Sequence, residues 1–216
     1  SASPVHEMKF HCPDYDLLWE VDHDVTKSYL EAMWAGHVID WDNLDLDRHA
    51  EIDAAPKLVP WAHPWRNPPV FFDGKGLTFQ NFSTDLISAG VSLYLHTHQE
   101  APLVWAHRLA KRLVDTRDRW TGLGGFQFSC RPPDRARAQL GPQFPGHVVL
   151  EGTILHPVAM RMWAGMLLRL AVRLGPDGTQ LRRWALEDLE SLARHAFVDD
   201  PHLPLFRRML TDGTDL

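Results

Sequence analysis

The 216-residue sequence has no apolar run long and uninterrupted enough to cross a bilayer, and no secretory leader is read in it. A membrane-embedded protein is therefore not expected. It also has no basic cluster: 22 Lys and Arg stand against 28 Asp and Glu, a net charge of −6. That balance excludes the electrostatic footprint of a nucleic-acid binder. An acidic protein that takes an anionic ligand must then do so through a local group of Arg, Lys or metal. Cysteine is scarce, with only Cys12 and Cys130, and no CxxC pair or zinc-finger spacing occurs. The two thiols leave the redox compartment open. No GxSxG elbow is present. The glycine-rich "TGLGGFQFS" follows a helical segment and opens none, so it is not a dinucleotide or phosphate loop.

What the chain does have is a core-forming share of hydrophobic residues, 44 %, with nine Trp and thirteen His. Trp either fills gaps between helices or lines clefts that bind sugars and other ring-shaped ligands. The length suits one large domain or a piece of a larger one.

Five helices are expected. The first covers about Asp24 to Asp40, with Asp24 as N-cap and Val25, Tyr29, Met33 and His37 recurring every fourth residue. The second covers about Thr84 to His98, with Ile87, Val91 and Leu95 on one stripe. The third covers about Pro102 to Asp118, with Pro102 in the first turn and Trp105, Leu109 and Leu113 on one face. The short "HQEA" between them predicts an antiparallel hairpin. A fourth helix, Pro157 to Leu174, is stopped by Gly175-Pro176. "GPDG" joins it to a fifth, about Gln180 to Phe197, with Leu181, Trp184, Leu189, Leu192 and Ala196 repeating. Two long loops, residues 56–83 and 119–152, carry clustered Pro, Gly and aromatics. "GFQFS" and "HVVLE" are candidates for a short ribbon, and the tail is read as adding a short helix. The predicted class is all-α: helical hairpins with long decorated loops, either a bundle or part of an (α/α) toroid.

Four groups of residues could carry chemistry. "VHEMKFH" offers His6, Glu7 and His11, imidazole and carboxylate donors that suit a divalent transition metal, although the spacing is not that of a helical HExxH site. "RHAEI" offers Arg48, His49 and Glu51; Arg48 is either a fork for a substrate carboxylate or the partner of Asp45 or Asp47. "WAHPWRN" sets His63 and Arg66 between two Trp, which suits an acidic sugar as well as it suits a packed loop. Lys75, between two Gly, and Arg135, near Asp134, are further cations on loops.

Taken in order, "HEMKFHCPDYDLLWEVDHDVTKSYLEAMWAGHVIDWDNLDLDRHAEID", "TGLGGFQFS" and "DRARAQLGPQF" with "LEGTIL" resemble polysaccharide lyase family 2, the metal-dependent pectate lyases. The resemblance implies an incomplete (α/α) toroid, with residues 1–216 forming part of a single catalytic domain truncated at both ends. It implies that Arg48 is the Brønsted base. It implies that His49 and Glu7 are metal ligands, with Glu20 the competing choice for the second. A further His ligand is expected upstream of Ser1. It implies a divalent metal, manganese-like, with Ca, Ni or Zn as substitutes. Arg66, Lys75 and Arg135 are the expected contacts to substrate carboxylates. The implied partner is polygalacturonate, with no nucleic acid and no membrane, acting as a monomer in the bacterial periplasm or cytoplasm. Two other classes fit the residues: a toroid glycoside hydrolase using paired carboxylates such as Asp22/Asp24 or Glu7/Glu20, and a non-catalytic helical scaffold that binds uronates.

Overall fold

A computed structural model describes residues 5–8, 14–42, 44–46, 49–51, 61, 78–125, 127–128, 155–198, 205–207 and 209–215. Six α-helices dominate these residues, and strands occur only as two-stranded ribbons of two or three residues each. The all-α expectation holds. The chain divides into two compact units, Ser1–Thr78 with Phe82–Ala110, and Phe79–Asn81 with Lys111–Leu216.

The first unit opens with β1 (Val5–Glu7), followed by α1 (Tyr15–Val21) and α2 (His23–His37). Each helix is started by an aspartate whose side chain accepts a main-chain N–H three residues on: Asp14 from Leu17 at 3.1 Å, Asp22 from Val25 at 3.0 Å. The N-cap of α2 is thus Asp22, not Asp24, and α1 was not foreseen. The buried face of α2 is Thr26, Leu30, Met33, Trp34 and His37, while Val25, expected on the apolar stripe, is 64 % exposed. Trp34 fixes that face. Its indole N–H donates to the Leu86 carbonyl at 3.0 Å, and its ring lies against Trp41 and Trp61. Trp41 in turn meets the edge of Trp105 at 4.8 Å.

After α2 come β2 (Val38–Asp40), β3 (Asp45–Leu46), paired antiparallel with it, and β4 (His49–Glu51). β5 (Thr78–Phe79) leads into α3 (Gln80–Thr97), which begins four residues before the expected start and so shortens the loop assigned to 56–83. α4 (Glu100–Val114) keeps Pro102 in its first turn but ends four residues short of Asp118. α3 and α4 form the expected hairpin. They approach so closely at Gly90 that a Cβ there would sit 2.9 Å from the Pro102 carbonyl and 3.1 Å from the Ala106 Cβ. His98 stops α3 in the left-handed region, φ 57°, its N–H donating to the Tyr94 carbonyl at 2.8 Å.

In the second unit, β6 (Gln127–Phe128) comes from the expected "GFQFS", but it belongs to a two-stranded sheet with β5, and "HVVLE" lies outside the described residues. α5 (Pro157–Leu174) has the bounds expected from Pro157 at its first position and Gly175, φ 59°, at its end. A 3-10 turn (Gly175–Gly178) connects it to α6 (Thr179–Ser191). A side chain at Gly178 would run into the main chain of Ala171, which is how the hairpin closes tightly. α6 ends in one π turn, Leu192–Ala196, with the Phe197 N–H donating to the Leu192 carbonyl. Among the described residues of the tail there is no helix: β8 (Leu205–Phe206) pairs antiparallel with β7 (Phe197–Val198), and Met209 bridges Asp215. Leu123, Leu155, Met160, Leu192, Ala196 and Met209 close one core here. No described helix is long and apolar enough to cross a membrane.

Candidate active site

The first unit pairs two of the nominated positions through its backbone. β1 and β4 run antiparallel in a register that sets Val5 opposite Glu51, His6 opposite Ala50 and Glu7 opposite His49. Positions directly opposite in such a ladder share a face of the ribbon, and faces alternate along each strand. Ala50 is buried and so is Met8, next after β1. The register thus sets the Glu7 and His49 positions opposite one another across the ladder. Arg48 immediately precedes β4, but it lies outside the described residues, as do Arg66, Lys75, Arg135, His11, His63, Cys12 and Cys130.

The competing ligand Glu20 is exposed on α1 and takes no part in the ribbon. Among the described residues, no group of three or more His, Cys, Asp or Glu is arranged to hold a metal. The carboxylates of the Asp22/Asp24 pair are both exposed. Asp22 is taken up as the cap of α2, and Asp24 is exposed in the first turn.

Several polar groups in this unit were not singled out from the sequence. α3 buries Ser83, Thr84, Asp85, Ser88 and Ser92 in this unit, an unusual load for a helix interior. Burial, with the Asp85 carboxylate adding to it, pushes the Tyr29 phenol up from its ordinary range. Burial also raises Glu31, against the pull of Lys27. The signal was present in "TFQNFSTDLISAGVS" only as small hydroxyls four apart at Thr84, Ser88 and Ser92, with Ser83 beside the first. At the edge of the unit, His96 Nε2 lies 2.8 Å from Asp16 Oδ1, and Trp19 stacks between His96 at 4.5 Å and His23 at 5.4 Å.

The second unit carries a buried ionic network. The Arg117 guanidinium uses all three nitrogens: Nε lies 2.8 Å from Asp188 Oδ1, Nη1 donates to Glu187 Oε2 at 2.8 Å, and Nη2 donates to the Trp184 carbonyl at 2.7 Å. The Nε–Oδ1 contact is an ion pair rather than a well-aligned hydrogen bond, since Oδ1 has no directed donor. Trp163 donates its indole N–H to Asp188 Oδ2 at 2.9 Å. Asp188 is 1 % exposed; burial pushes its carboxyl up to about 6, against the charge of Arg117 and the hydrogen bonds it receives.

Helical hairpins joined by loops, with strands only as short two-stranded ribbons, define an all-α protein. Within that class, the chain belongs to the periplasmic pectate lyase family, which it matches over residues 1–216. It is 30 % identical over 245 aligned residues to a pectate disaccharide-lyase of Dickeya dadantii (strain 3937). That alignment covers 100 % of this chain and 44 % of the relative, so the chain spans less than half the length of the protein it matches.

Proposed function

We propose that this chain carries part of the machinery of a pectate lyase that cleaves polygalacturonate or oligogalacturonides by β-elimination. Membership of the family supports the reaction class. The observation that carries the site is the register of β1 and β4, which pairs Glu7 with His49 across the ladder although they lie far apart in sequence. A carboxylate oxygen with an imidazole nitrogen is a mixed donor set that suits manganese, nickel or zinc and suits calcium less well. Glu7 and His49 would hold the ion, with a further ligand from elsewhere. Its chemistry when bound is to supply positive charge beside the uronate carboxylate.

Arg48, next to His49, takes the proton from C5 of the uronate, the carbon beside the carboxylate. The electrons of the C5–H bond form the C4–C5 double bond, the C4–O bond breaks, and the leaving oxygen takes up a proton. The product is a 4,5-unsaturated uronate. A guanidinium in water has a pKa above about 12 and is a poor base. Arg48 serves only if burial and a neighbouring positive charge disfavour its protonated form. Arg66, Lys75 and Arg135 grip the carboxylates of flanking sugars. The two hairpins form part of an (α/α) toroid that the longer family members complete.

Two measurements test this together. Polygalacturonate should yield the ultraviolet absorbance of unsaturated ends only with a divalent metal present, and chelation should remove it. Glu7→Gln and His49→Ala should each lower bound metal measured directly, while Arg48→Ala should leave the metal in place and abolish turnover. A version of the protein extended to the relative's length that forms no unsaturated product with any divalent metal would overturn the reading.

A further inference from the structure

Among the described tryptophans only Trp120 is largely exposed, at 77 %; the others are buried or half-buried and account for themselves as packing. Trp120 sits in the second unit on a turn that is fixed rather than loose. Asp118 Oδ1 accepts the N–H of Trp120 at 2.8 Å, the N–H of Thr121 at 2.9 Å and the Thr121 hydroxyl at 3.3 Å. The Asp118 N–H donates to the Leu123 carbonyl at 3.0 Å, and the Gly122 N–H returns to the Asp118 carbonyl at 2.9 Å. Gly122 has φ 72°, and the Thr121 hydroxyl donates to the Thr211 carbonyl at 2.5 Å. The turn thus presents an aromatic ring to solvent from an ordered backbone.

The ring does not stand alone. The guanidinium carbon of Arg119 lies over it, 4.8 Å from the centroid. Arg119 makes no ion pair or hydrogen bond among the described residues, so its N–H edge is available to an acceptor from outside. The nearby Asp118 carboxylate is turned to its own backbone through the three bonds above; against partial burial, those bonds and the charge of neighbouring Arg119 hold it below its ordinary range. With Arg119 over the ring, Trp120 as a whole still remains 77 % exposed. A pyranose offers an apolar C–H face to stack on such a ring, and a carboxylate at its edge suits the planar fork of Arg119.

We propose that Arg119 and Trp120 form a surface platform that binds an acidic sugar unit, separate from the residues assigned to the reaction. The choice of a galacturonate over other acidic sugars rests on the proposed lyase reading. The platform needs no metal and no turnover. Its role is to hold a polymer on the protein while the chemistry proceeds at Arg48 and His49.

The test is retention of the full chain in native gels containing polygalacturonate, with chelator added so that no cleavage occurs. Trp120→Ala should weaken retention about three- to tenfold. Trp120→Phe should lose less, because it keeps a ring to stack on. Arg119→Gln should weaken retention on polygalacturonate but not on its methyl-esterified form. Thermal unfolding of the three variants should match that of the parent, since both side chains are exposed. Equal retention of the parent and Trp120→Ala would overturn the platform even if unsaturated product forms with metal restored. Lost retention in Trp120→Ala, together with no unsaturated product from the extended protein with any divalent metal, would keep an acidic-sugar platform and overturn the lyase reading. Equal losses on both polymers in Arg119→Gln would overturn the charge-reading part.

Discussion

Two buried tryptophans, one in each unit, show that similar helix pairs can be held together by different physics. Trp34 joins α2 to α3 through a hydrogen bond to a neutral main-chain carbonyl, inside a cluster of other tryptophans. Trp163 joins α5 to α6 through a hydrogen bond to a buried carboxylate, Asp188, that is itself paired with Arg117. The first arrangement is indifferent to protonation. The second makes the stability of its unit a function of pH. An ionic network inside one unit and an aromatic cluster inside the other teach that burial alone does not set how a region responds to its medium.

The largest break in this comparison is Arg117→Ala. It leaves the Asp188 carboxylate buried without its cation and should cost about 3–5 kcal/mol of stability near pH 7 by denaturant unfolding. The same change in acid should cost much less, because Asp188 is then neutral. The sign in the parent follows from the raised value of Asp188, about 6 in the fold against 3.8 as its ordinary value. Stability contributed by this group is fully present below the lower value and is lost as pH rises through the higher one. Relative to Asp188→Asn, the parent should lose on the order of 3 kcal/mol across that window. Asp118 runs the other way: its lowered value means stability that is present near neutrality and lost in strong acid.

A matched pair of substitutions sharpens the contrast. Trp163→Phe removes a donor from a carboxylate and should cost about 2–3 kcal/mol at pH 7, less at pH 4. Trp34→Phe removes a donor from a carbonyl and should cost about 1–2 kcal/mol at both. Equal pH dependence in the two variants would show that the units are not held differently. The smallest effect is at the turn of the first hairpin. His98 is exposed and left-handed, so His98→Gly should raise stability by about 1 kcal/mol, read as a small rise in Tm.

How far the sequence could be read depended on whether each feature has a local cause. α5 matched its expected bounds because Pro157 and Gly175 act on their own neighbours. α2 was started at the wrong aspartate because Asp22 and Asp24 are equally good caps in isolation, and only the bond to Val25 separates them. Its stripe held at Met33 and His37, which are buried, and in part at the half-buried Tyr29; only Val25, in the first turn, lies exposed. α1, at seven residues, and ribbons of two or three residues are too short for any period to show. Asp188 in "LEDLE" reads as a solvent-facing acid, and only the arrival of Arg117 and Trp163 makes it a core residue. For the candidate site, Glu7 and His49 were named from residue type and resemblance, but their pairing depends on a strand register that no local spacing encodes.

The π turn at Leu192–Ala196 has a consequence for how this protein tolerates change in length. A five-residue ring accommodates one residue more than the ordinary helical turn, while Leu192 and Ala196 at its ends stay in the core. Ala193 and Arg194 face solvent and His195 is half-buried. The turn thus holds one residue more than a regular helical turn without giving up a buried contact at either end. Deleting one of the exposed residues would convert it to a regular turn and rotate everything after it by about a quarter of a revolution. Phe197 would then leave the ladder it makes with Phe206, so the wide turn fixes the phase at which helix hands over to strand.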